Sequence, residues 1–509
     1  MVDDKAFCQP VTFPDKYSPV QLPKRTDYLN SKKSDHPARI AIVGSGAAGL
    51  AAAWLLSRQY EVVVFEANEW VGGHAHSAFV EPSSQQLADT NTNAGSFATQ
   101  ISEQLVVDTG FIVYNEATYP NYKAWMTELG VTTQATDMSF AVSRDDGGFE
   151  YAGGPLPGLF AQKTNVLRPR FWRMLRDIVR FYREAVDESA KSASTTLGEF
   201  LRERRYSQAF IDDHLLPFGA AIWSTPQEKM LAYPLRSFVR FCDNHGLLKL
   251  AGRPQWRTVT GGSANYVKRV TEEIAGNGGS VHTNCAVTGV RREPDSACLI
   301  TDSGDSCRFD QVVFACHADQ ALKLLQRPSA AEQDLLGKFA YEENRAVLHT
   351  DERVMPKRRA AWSSWNYVET EHTCRQSKPG VVYWMNKLQS LPGDVNYFVS
   401  LNPQHDISGK QVLRETIYYH PLFSDQTYTA QQALWSLQGK QRTWFCGSYF
   451  GSGFHEDAVQ AGLAVAEELG GLSRPWYLDN PSSRIFLPSH APSRSGLELR
   501  WPRNFDAAF

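Results

Sequence analysis

The stretch RIAIVGSGAAGLAAAWLLSRQYEVVVFEANEWVGGH, residues 39–74, decides the fold. A short β-branched run at 39–43 leads directly into a glycine-rich turn, an Ala/Leu-rich segment to about residue 58, and an alternating run at 61–66. This order predicts a strand, a tight turn, a helix and a second strand that ends in an acid. The unit is typical of a Rossmann-like βαβ domain, so we predict an α/β fold.

The turn at 44–49 has the spacing of a phosphate-binding loop. In such a loop Gly44 makes the tight turn, Gly46 lets the backbone approach a pyrophosphate, and Gly49 lets the helix pack on the strand. The helix N-terminus presents free N–H groups and a positive dipole end to the phosphates. We therefore assign to cofactor binding the residues Gly44, Ser45, Gly46, Ala47, Ala48 and Gly49.

An acid and a second glycine pair narrow the choice of cofactor. Glu66 follows the turn by about 20 residues, where a carboxylate accepts hydrogen bonds from a ribose and repels a 2′-phosphate. Gly72-Gly73 comes shortly afterwards, which indicates that the backbone again passes close to the same ligand. The sequence therefore predicts a dinucleotide without a 2′-phosphate.

The segment EANEWVGGH, residues 66–74, resembles the flavin-containing amine oxidase superfamily, which also includes phytoene-desaturase-like and fatty-acid-isomerase-like proteins. In that family a Gly-Gly-Arg segment meets the pyrophosphate and flavin of FAD. This chain has Trp70 and His74 where the family has arginines, so less positive charge faces the pyrophosphate. The resemblance implies FAD as the cofactor and assigns to its binding Glu66, Ala67, Gly72, Gly73 and His74.

The same resemblance returns near the other end of the chain. Residues 443–449 predict an apolar strand that ends in glycine, and residues 453–462 open a helix that reaches about residue 469. In the family this helix N-terminus points at the N1–C2=O side of the isoalloxazine, where its dipole stabilises negative charge. The motif assigns to FAD binding Gly447, Ser448, Phe454, His455, Glu456 and Ala458.

Three weaker correspondences lie between the two ends. Residues 108–112, DTGFI, resemble the turn that meets the flavin ring, and residues 256–263, WRTVTGGS, resemble the turn that returns the chain to the cofactor domain. Residues 280–317 hold short strands with a hairpin turn at 302–305. The resemblance spans roughly residues 38–472 and adds to FAD binding Gly110, Phe111, Val287 at the adenine and Ala315 by the nucleotide.

Length and composition set further limits. The chain has 509 residues, long enough for two large domains, and its formal net charge of −3 gives no field that attracts nucleic acid. No run approaches the roughly 18 apolar residues of a membrane span, and the N-terminus lacks the order of a signal peptide. Eight cysteines are scattered without a CxxC pair, which predicts a cytoplasmic protein with reduced thiols. His74 and His76 have no acid or cysteine cluster beside them, so we predict no metal site.

We predict a discontinuous, GR2-type Rossmann-like FAD-binding domain combined with an α+β substrate domain. The FAD-binding domain comprises residues 38–115, 255–320 and 440–472. The substrate domain comprises residues 116–254 and 321–439. An N-terminal arm at 1–37 and a C-terminal extension at 473–509 flank these domains, and the polar segment 81–99 is expected to be an insertion inside a hairpin.

The substrate domain is rich in aromatic residues, which predicts an apolar pocket for an acyl chain, an isoprenoid or an aryl group. Amine oxidases of the superfamily have a tyrosine where this chain has Phe454, which weakens the case for an amine substrate. The next residue, His455, is then a candidate for proton transfer at the flavin, and simple contact with the cofactor is the alternative interpretation. On position alone, Tyr114 and Tyr449 are further catalytic candidates.

Residues 165–184, NVLRPRFWRMLRDIVRFYRE, predict a helix that begins at Pro169. Its expected apolar face consists of Trp172, Leu175, Val179 and Tyr182. An adjacent basic stripe consists of Arg173, Arg176, Arg180 and Arg183. One interpretation of residues 168–184 is a membrane-surface helix that loads a lipid substrate, and the other is a surface helix whose arginines are solvated or paired.

Together these observations predict an FAD-dependent oxidoreductase that removes a hydride from a small hydrophobic substrate, with an unsaturated or modified fatty acyl chain preferred. The alternatives are a flavin-dependent double-bond isomerase without net redox, an amine oxidase, and a non-catalytic lipid-binding scaffold. The scaffold would be similar to the Rab GDP-dissociation inhibitors, which resemble the superfamily but work without flavin. The intact cofactor motifs at both ends argue against it. No motif bears on the oligomeric state.

Overall fold

The computed structural model describes residues 38–81, 104–154, 156–191, 195–223, 226–249, 252–370 and 378–488. The expected arm at 1–37, nearly all of the expected insertion at 81–99 and the end of the C-terminal extension lie outside these residues. The strands β3 and β4 that flank the insertion, Ser77–Val80 and Leu105–Asp108, pair antiparallel.

Strands and helices are numbered in chain order over the described ranges. The strands are β1 Arg39–Val43, β2 Glu61–Phe65, β3 Ser77–Val80, β4 Leu105–Asp108, β5 Tyr114–Asn115, β6 Thr133–Thr136, β7 Phe140–Arg144, β8 Phe149–Gly153, β9 Trp256–Val259, β10 Ser280–His282, β11 Val287–Arg292, β12 Ala297–Thr301, β13 Ser306–Phe309, β14 Gln311–Phe314, β15 Ala340–His349, β16 Trp365–Val368, β17 Gly380–Trp384, β18 Phe398–Leu401, β19 Val412–Leu422 and β20 Thr443–Phe445. The helices are α1 Ala47–Leu56, α2 Pro120–Glu128, α3 Leu156–Leu159, α4 Pro169–Lys191, α5 Leu197–Glu203, α6 Gln208–Phe210, α7 Leu216–Trp223, α8 Gln227–Leu231, α9 Leu235–Asn244, α10 Ala264–Gly276, α11 Ala318–Leu324, α12 Ala330–Leu336, α13 Met385–Gln389, α14 Asp425–Leu434 and α15 His455–Gly470.

Five parallel strands form the sheet that presents the glycine turn, in the order β10-β2-β1-β14-β20. α1 follows the central strand and is buried along its whole length, since α15 packs against it. The two helices approach so closely that a Cβ on Gly462 would lie 2.2 Å from the carbonyl oxygen of Ala48. The first and last motifs of the sequence therefore meet where α1 packs against α15.

A seven-stranded mixed sheet, in the order β19-β15-β18-β17-β16-β7-β8, forms the second large layer. Its strands pair antiparallel except β7 and β16, which are parallel. An apolar cluster joins this sheet to α4, α7 and α9, and it is distinct from the cluster beneath the parallel sheet. We propose that the two layers correspond to the expected cofactor and substrate domains.

Two local predictions are wrong. β20 ends at Phe445 instead of residue 449, because Ser448–Phe450 forms a 3-10 turn. The buried face of α4 is one residue out of phase with the predicted one, and Trp172 is 49% exposed. Apolar residues occupy both phases of this helix, and packing selects the phase of Phe171, Met174, Ile178, Phe181 and Ala185. None of the described helices is long and apolar enough to span a membrane.

Candidate active site

The glycine turn brings the ends of β1, β2 and β14 together. Gly44 has φ +104°, which favours glycine, and its N–H donates to the carbonyl oxygen of Phe65 at 2.8 Å. A Cβ on Gly49 would lie only 2.0 Å from the Gly44 carbonyl oxygen. Ala315, just after β14, donates its N–H to Val43 at 2.8 Å. The close approach of helix, turn and strand thus requires glycine at two positions.

The N-terminus of α1 is suited to an anion. Ala47 and Ala48 are buried, and no side chain in the described part of the chain caps the helix. Buried N–H groups at a helix start need an external partner, and phosphate is the usual one. Gly46 precedes them, and a Cβ built there would meet no atom within 4 Å. The turn therefore fits the pyrophosphate that its sequence predicts.

Glu66 is held rigidly beside this turn. One carboxylate oxygen accepts hydrogen bonds from the N–H and hydroxyl of Ser45, at 3.0 and 2.6 Å. The other accepts from the backbone and side-chain nitrogens of Asn68, at 2.9 and 2.8 Å. Glu66 is 6% exposed, whereas the neighbouring Ala67 is exposed. The carboxylate is therefore positioned at the end of β2, where a ribose hydroxyl is expected.

The second glycine pair crosses the first turn directly. Gly72 and Gly73 have φ +115° and +60°, and Gly72 donates its N–H to the carbonyl oxygen of Ser45 at 3.1 Å. A Cβ on Gly73 would lie 3.0 Å from the Cα of Gly46. The turn at residues 44–49 and the pair Gly72-Gly73, which are separate in the sequence, therefore border the same expected cofactor site.

His74 belongs to a buried group of imidazoles. Its ring centroid lies 5.4 Å from that of His420 and 6.4 Å from that of His317. Burial lowers the pKa of all three, so each is neutral near pH 7. The carbonyl oxygen of His74 accepts from Phe111 N–H at 2.7 Å and would lie 2.3 Å from a Cβ on Gly110. Within the described ranges, no group of His, Cys, Asp or Glu could hold a metal ion.

The carboxylate of Glu456, in the first turn of α15, is hydrogen-bonded within the protein. It accepts from both nitrogens of Asn121, at 3.1 and 2.8 Å, and from Tyr122 N–H at 2.9 Å. Gln460 donates a further hydrogen bond at 2.9 Å. Burial raises the pKa of Glu456. This side chain joins α15 to the start of α2, so only the backbone of residue 456 is left for a ligand.

Asp457 closes the turn before α15. Its carboxylate accepts from the N–H of Phe454 at 2.8 Å and pairs with Arg484 of the C-terminal extension at 2.6 Å. The carbonyl oxygen of Ser448 accepts from two N–H groups of the glycine-rich entry, at 3.1 Å each. Gly447 precedes that turn, and Ala458 is buried in the first turn of α15.

His455 is enclosed by aromatic rings. It stacks on Phe111 with centroids 3.8 Å apart and an interplanar angle of 7°, and its Nε2 lies 2.8 Å from the hydroxyl of Tyr266. Burial lowers its pKa to about 3, so the imidazole is neutral near pH 7. The preceding Phe454 stacks on Phe241 at 4.4 Å. The site at the start of α15 is thus walled by aromatic side chains.

The two tyrosine candidates differ in what their hydroxyls contact. Tyr449 is buried, and its hydroxyl has no hydrogen-bond partner among the residues that the structure describes. Tyr114, on β5, donates to Thr133, on β6, at 3.1 Å, and β9 lies between these two strands in the sheet. Val287 begins β11 and is half-buried against the core of the parallel sheet. Tyr449 therefore has a polar atom that a ligand could engage.

Asp108 is a functional candidate that the sequence motif contained but that we did not single out. Its carboxylate accepts from Ser77 at 2.5 Å, from Ser263 N–H at 2.9 Å and from Gln389 at 3.2 Å. It thereby ties β4 to the Gly-Gly turn before α10 and to α13 beside the seven-stranded sheet. Burial raises its pKa to about 7. The only signal for this role was its position before the turn at residues 109–110.

A cavity of about 70 Å³ lies between the seven-stranded sheet and the helices α4 and α7. Its wall is largely apolar and aromatic, with Met138, Phe140, Phe218, Ile222, Leu247 and Trp365. No carboxylate lines it in the part of the chain that the structure describes, and Arg253 is its charged residue. No sequence motif marked this cavity, because its residues come from distant segments.

The sequence model described as "Flavin containing amine oxidoreductase" matches residues 47–388. No curated protein matches the chain. Among solved structures, a putative protoporphyrinogen oxidase from Exiguobacterium sp. 255-15 is 16% identical with a TM-score of 0.58, covering 86% of this chain and 99% of its own. A CLA-producing fatty acid isomerase from P. acnes is 15% identical with a TM-score of 0.55, covering 85% and 98%. Cyclohexylamine oxidase from Brevibacterium oxydans IH-35A is 15% identical with a TM-score of 0.58, covering 85% and 100%.

Proposed function

The chain belongs to the family of flavin-containing amine oxidoreductases and is an FAD-dependent oxidoreductase, and from this premise we propose that its substrate is an unsaturated or modified fatty acyl chain. Bound FAD would supply the acceptor for a hydride removed from a substrate carbon. The uncapped start of α1, the carboxylate of Glu66 and the backbone at Gly72-Gly73 would hold the cofactor. The seven-stranded sheet and its helices would supply the substrate site.

The observation that supports this proposal is the composition of the cavity wall. An amine substrate is protonated near pH 7, and a buried ammonium group needs a carboxylate or an aromatic cage beside it. None of the described residues lining the cavity is an acid. The wall does contain aromatic rings, but the guanidinium of Arg253 lies in the same wall and would repel a cation. A hydrocarbon chain fits the apolar side chains that make up most of this wall.

The aromatic wall at the start of α15 agrees with this substrate class. Phe454 stands where amine oxidases have a tyrosine, and it packs on Phe241 and within 6.5 Å of Trp223. These rings offer apolar surface and no phenol hydroxyl at residue 454. The proposal therefore places an aliphatic or unsaturated chain, rather than an amine, beside the cofactor.

Anaerobic mixing of the FAD-loaded protein with oleic acid tests the proposal, with cyclohexylamine as the matched amine. We expect oleic acid to bleach the flavin absorbance and cyclohexylamine to leave it unchanged. Bleaching by the amine alone would contradict the proposed substrate class. Colourless protein that cannot be reconstituted with FAD would contradict an enzyme of any kind and favour a non-catalytic scaffold.

A double-bond isomerase is the second candidate, and the structural similarity to a fatty acid isomerase favours it. Both candidates need the same cavity, and they differ in net redox. Anaerobic incubation with linoleic acid separates them, since an isomerase forms a shifted diene while the flavin absorbance is unchanged. An oxidoreductase forms at most one product molecule per flavin under the same conditions.

We also propose peripheral membrane contact by a cytoplasmic protein, through residues 168–184 and the turn before them. Two of the four arginines of the expected basic stripe are paired: Arg176 with Asp177 and Arg180 with Glu184. The stronger support is a group of exposed apolar side chains around the start of α4, consisting of Leu156, Val166, Leu167 and Trp172. Arg173 lies beside them and has no carboxylate partner in the described ranges. Such a surface suits an anionic lipid interface.

A further inference from the structure

The cavity beside the seven-stranded sheet contains polar atoms that the protein leaves without partners. The indole N–H of Trp365, on β16, is fully buried and donates to no atom in the described part of the chain. Tyr182, on α4, brings a phenol ring and its hydroxyl to the wall of the same cavity. Buried donors such as this indole N–H almost always have a partner. A pure hydrocarbon in the cavity would leave it unpaired.

His214 presents a third polar group to the same cavity. It stands in a one-turn π-helix, Ile211–Leu215, a rare conformation that often occurs at functional sites. Its Nδ1 lies 2.9 Å from the hydroxyl of Tyr151, and its Nε2 contacts no described hydrogen-bonding group. The hydroxyl of Tyr151 also lies 3.1 Å from the carbonyl oxygen of Asp213, and its single proton serves one of these two acceptors. When it is donated to Nδ1, Nε2 carries the proton and is a further donor to the cavity.

Arg253 adds a positive charge at the mouth. The residue is exposed, its Nε donates to the carbonyl oxygen of Lys249 at 2.7 Å, and no acid pairs with it within the described ranges. Arg253 lines the same cavity as Tyr182 and His214. Burial raises the pKa of Tyr182 to about 12 and Arg253 opposes this rise, whereas burial and Arg253 both lower the pKa of His214, to about 3. The terminal nitrogens of this guanidinium are the donors that a carboxylate binds in bidentate fashion.

The size of the cavity limits what these donors can bind. About 70 Å³ is room for roughly five water-sized groups, which corresponds to a head group and its first carbons. A long acyl chain cannot fit inside it as a whole. Apolar side chains such as Phe140 and Phe218 surround the donors and exclude water from the first carbons.

We propose that this cavity binds the carboxylate end of a free fatty acid, with Arg253 at the mouth and Trp365, Tyr182 and His214 as interior donors. This inference rests on the proposed function and deepens it, since it selects a free acid over an ester or thioester. The remaining chain then extends from the cavity toward the cofactor. The donors fix which carbon reaches the flavin, so they are specificity-determining residues.

The test compares oleic acid with methyl oleate on the FAD-loaded, full-length protein, by calorimetric binding and by anaerobic flavin bleaching. We expect oleic acid to bind at least about 10-fold more tightly than its ester, because a hydrogen bond to a charged group is lost in the ester. Arg253→Gln should weaken oleic acid binding about 10- to 100-fold and leave the ester unaffected. Trp365→Phe should weaken oleic acid binding by a smaller factor.

Arg183→Gln is the matched control, because Arg183 lies next to Tyr182 on α4 but does not line the cavity. It should bind oleic acid as the wild type does. Equal binding of acid and ester, or wild-type affinity in Arg253→Gln, would overturn the inference while flavin bleaching still supports the proposed function. Tight, Arg253-dependent binding of oleic acid without turnover of any acyl substrate would uphold the carboxylate site and refute the proposed function.

Discussion

The dinucleotide turn at residues 44–49 and the cavity beside the seven-stranded sheet are built by opposite means. The turn is made of backbone from one contiguous segment. Its geometry depends on the absence of side chains at Gly44 and Gly49, whereas the space beside Gly46 is open. The cavity is made of side chains that come from strands, helices and loops spread over residues 138–365. A contiguous backbone site is visible in a sequence, whereas a side-chain site becomes visible only after folding.

The largest predicted effect concerns two glycines of the turn and sharpens this comparison. Gly49→Val places a Cβ about 2.0 Å from a backbone oxygen inside a buried helix, so we expect at least about 5 kcal/mol of destabilisation and little folded protein. Gly46→Ala meets no protein atom, so the apoprotein should unfold at the wild-type urea concentration. FAD should bind the Gly46→Ala variant about 10- to 100-fold more weakly, since its methyl group occupies the pyrophosphate side.

Urea unfolding measures the stability of each apoprotein, and fluorescence titration with FAD measures its affinity for the cofactor. If Gly46→Ala destabilises the apoprotein as strongly as Gly49→Val, the open space at Gly46 is not a ligand site. If it changes neither stability nor FAD affinity, the pyrophosphate does not pass this turn.

The second prediction concerns Asp108, which joins β4 to the turn before α10 and to α13 beside the seven-stranded sheet. Its folded pKa of about 7 lies above the ordinary value near 4, so the folded protein holds a proton there that the unfolded chain releases. This contribution to stability is complete below pH 4 and is lost as pH rises through 7. We expect the free energy of unfolding of the wild type, relative to Asp108→Asn, to fall by up to about 4 kcal/mol between pH 4 and pH 8.

Asp177→Asn is the control, because Asp177 should make the free energy of unfolding change with pH in the opposite direction to Asp108. Arg176 and Ser207 stabilise the ionised Asp177, so its pKa is lowered and its contribution is lost as pH falls. Urea unfolding of both variants at several pH values measures the two slopes. Equal slopes for Asp108→Asn and the wild type would mean that Asp108 is ionised throughout and that its hydrogen bonds outweigh its burial.

The two regions also explain which predictions from the sequence were successful. The α/β fold, the family and FAD are confirmed, because glycine spacing and β-branched runs constrain the backbone locally. The face of α4 was predicted wrongly, because Phe171 and Trp172 begin two equally regular apolar rows and only the tertiary packing chooses between them. Nothing in the sequence indicated that the indole N–H of Trp365 would be buried without a hydrogen-bond partner among the described residues, since an aromatic residue on a strand ordinarily belongs to the hydrophobic core. The catalytic assignments of His455, Tyr449 and Tyr114 stay predictions.

The smallest predicted effect concerns the exposed apolar residues near the cavity. It tests whether they contact a lipid surface, as the turn at residues 44–49 is expected to contact the cofactor. Leu167 is 84% exposed in the turn before α4, and α4 provides Tyr182 to the cavity. Leu167→Glu should weaken binding of the full-length, FAD-loaded protein to phosphatidylglycerol-containing vesicles about 10-fold, because one leucine leaves the interface and a negative charge enters it. Co-sedimentation with the vesicles measures the bound fraction of each variant. Leu413→Glu is the control, since Leu413 is also exposed but lies on β19, at the edge of the seven-stranded sheet opposite to β8. Equal binding of both variants to the vesicles would mean that the apolar residues around Leu167 serve another purpose, and that the acid reaches its cavity from solution.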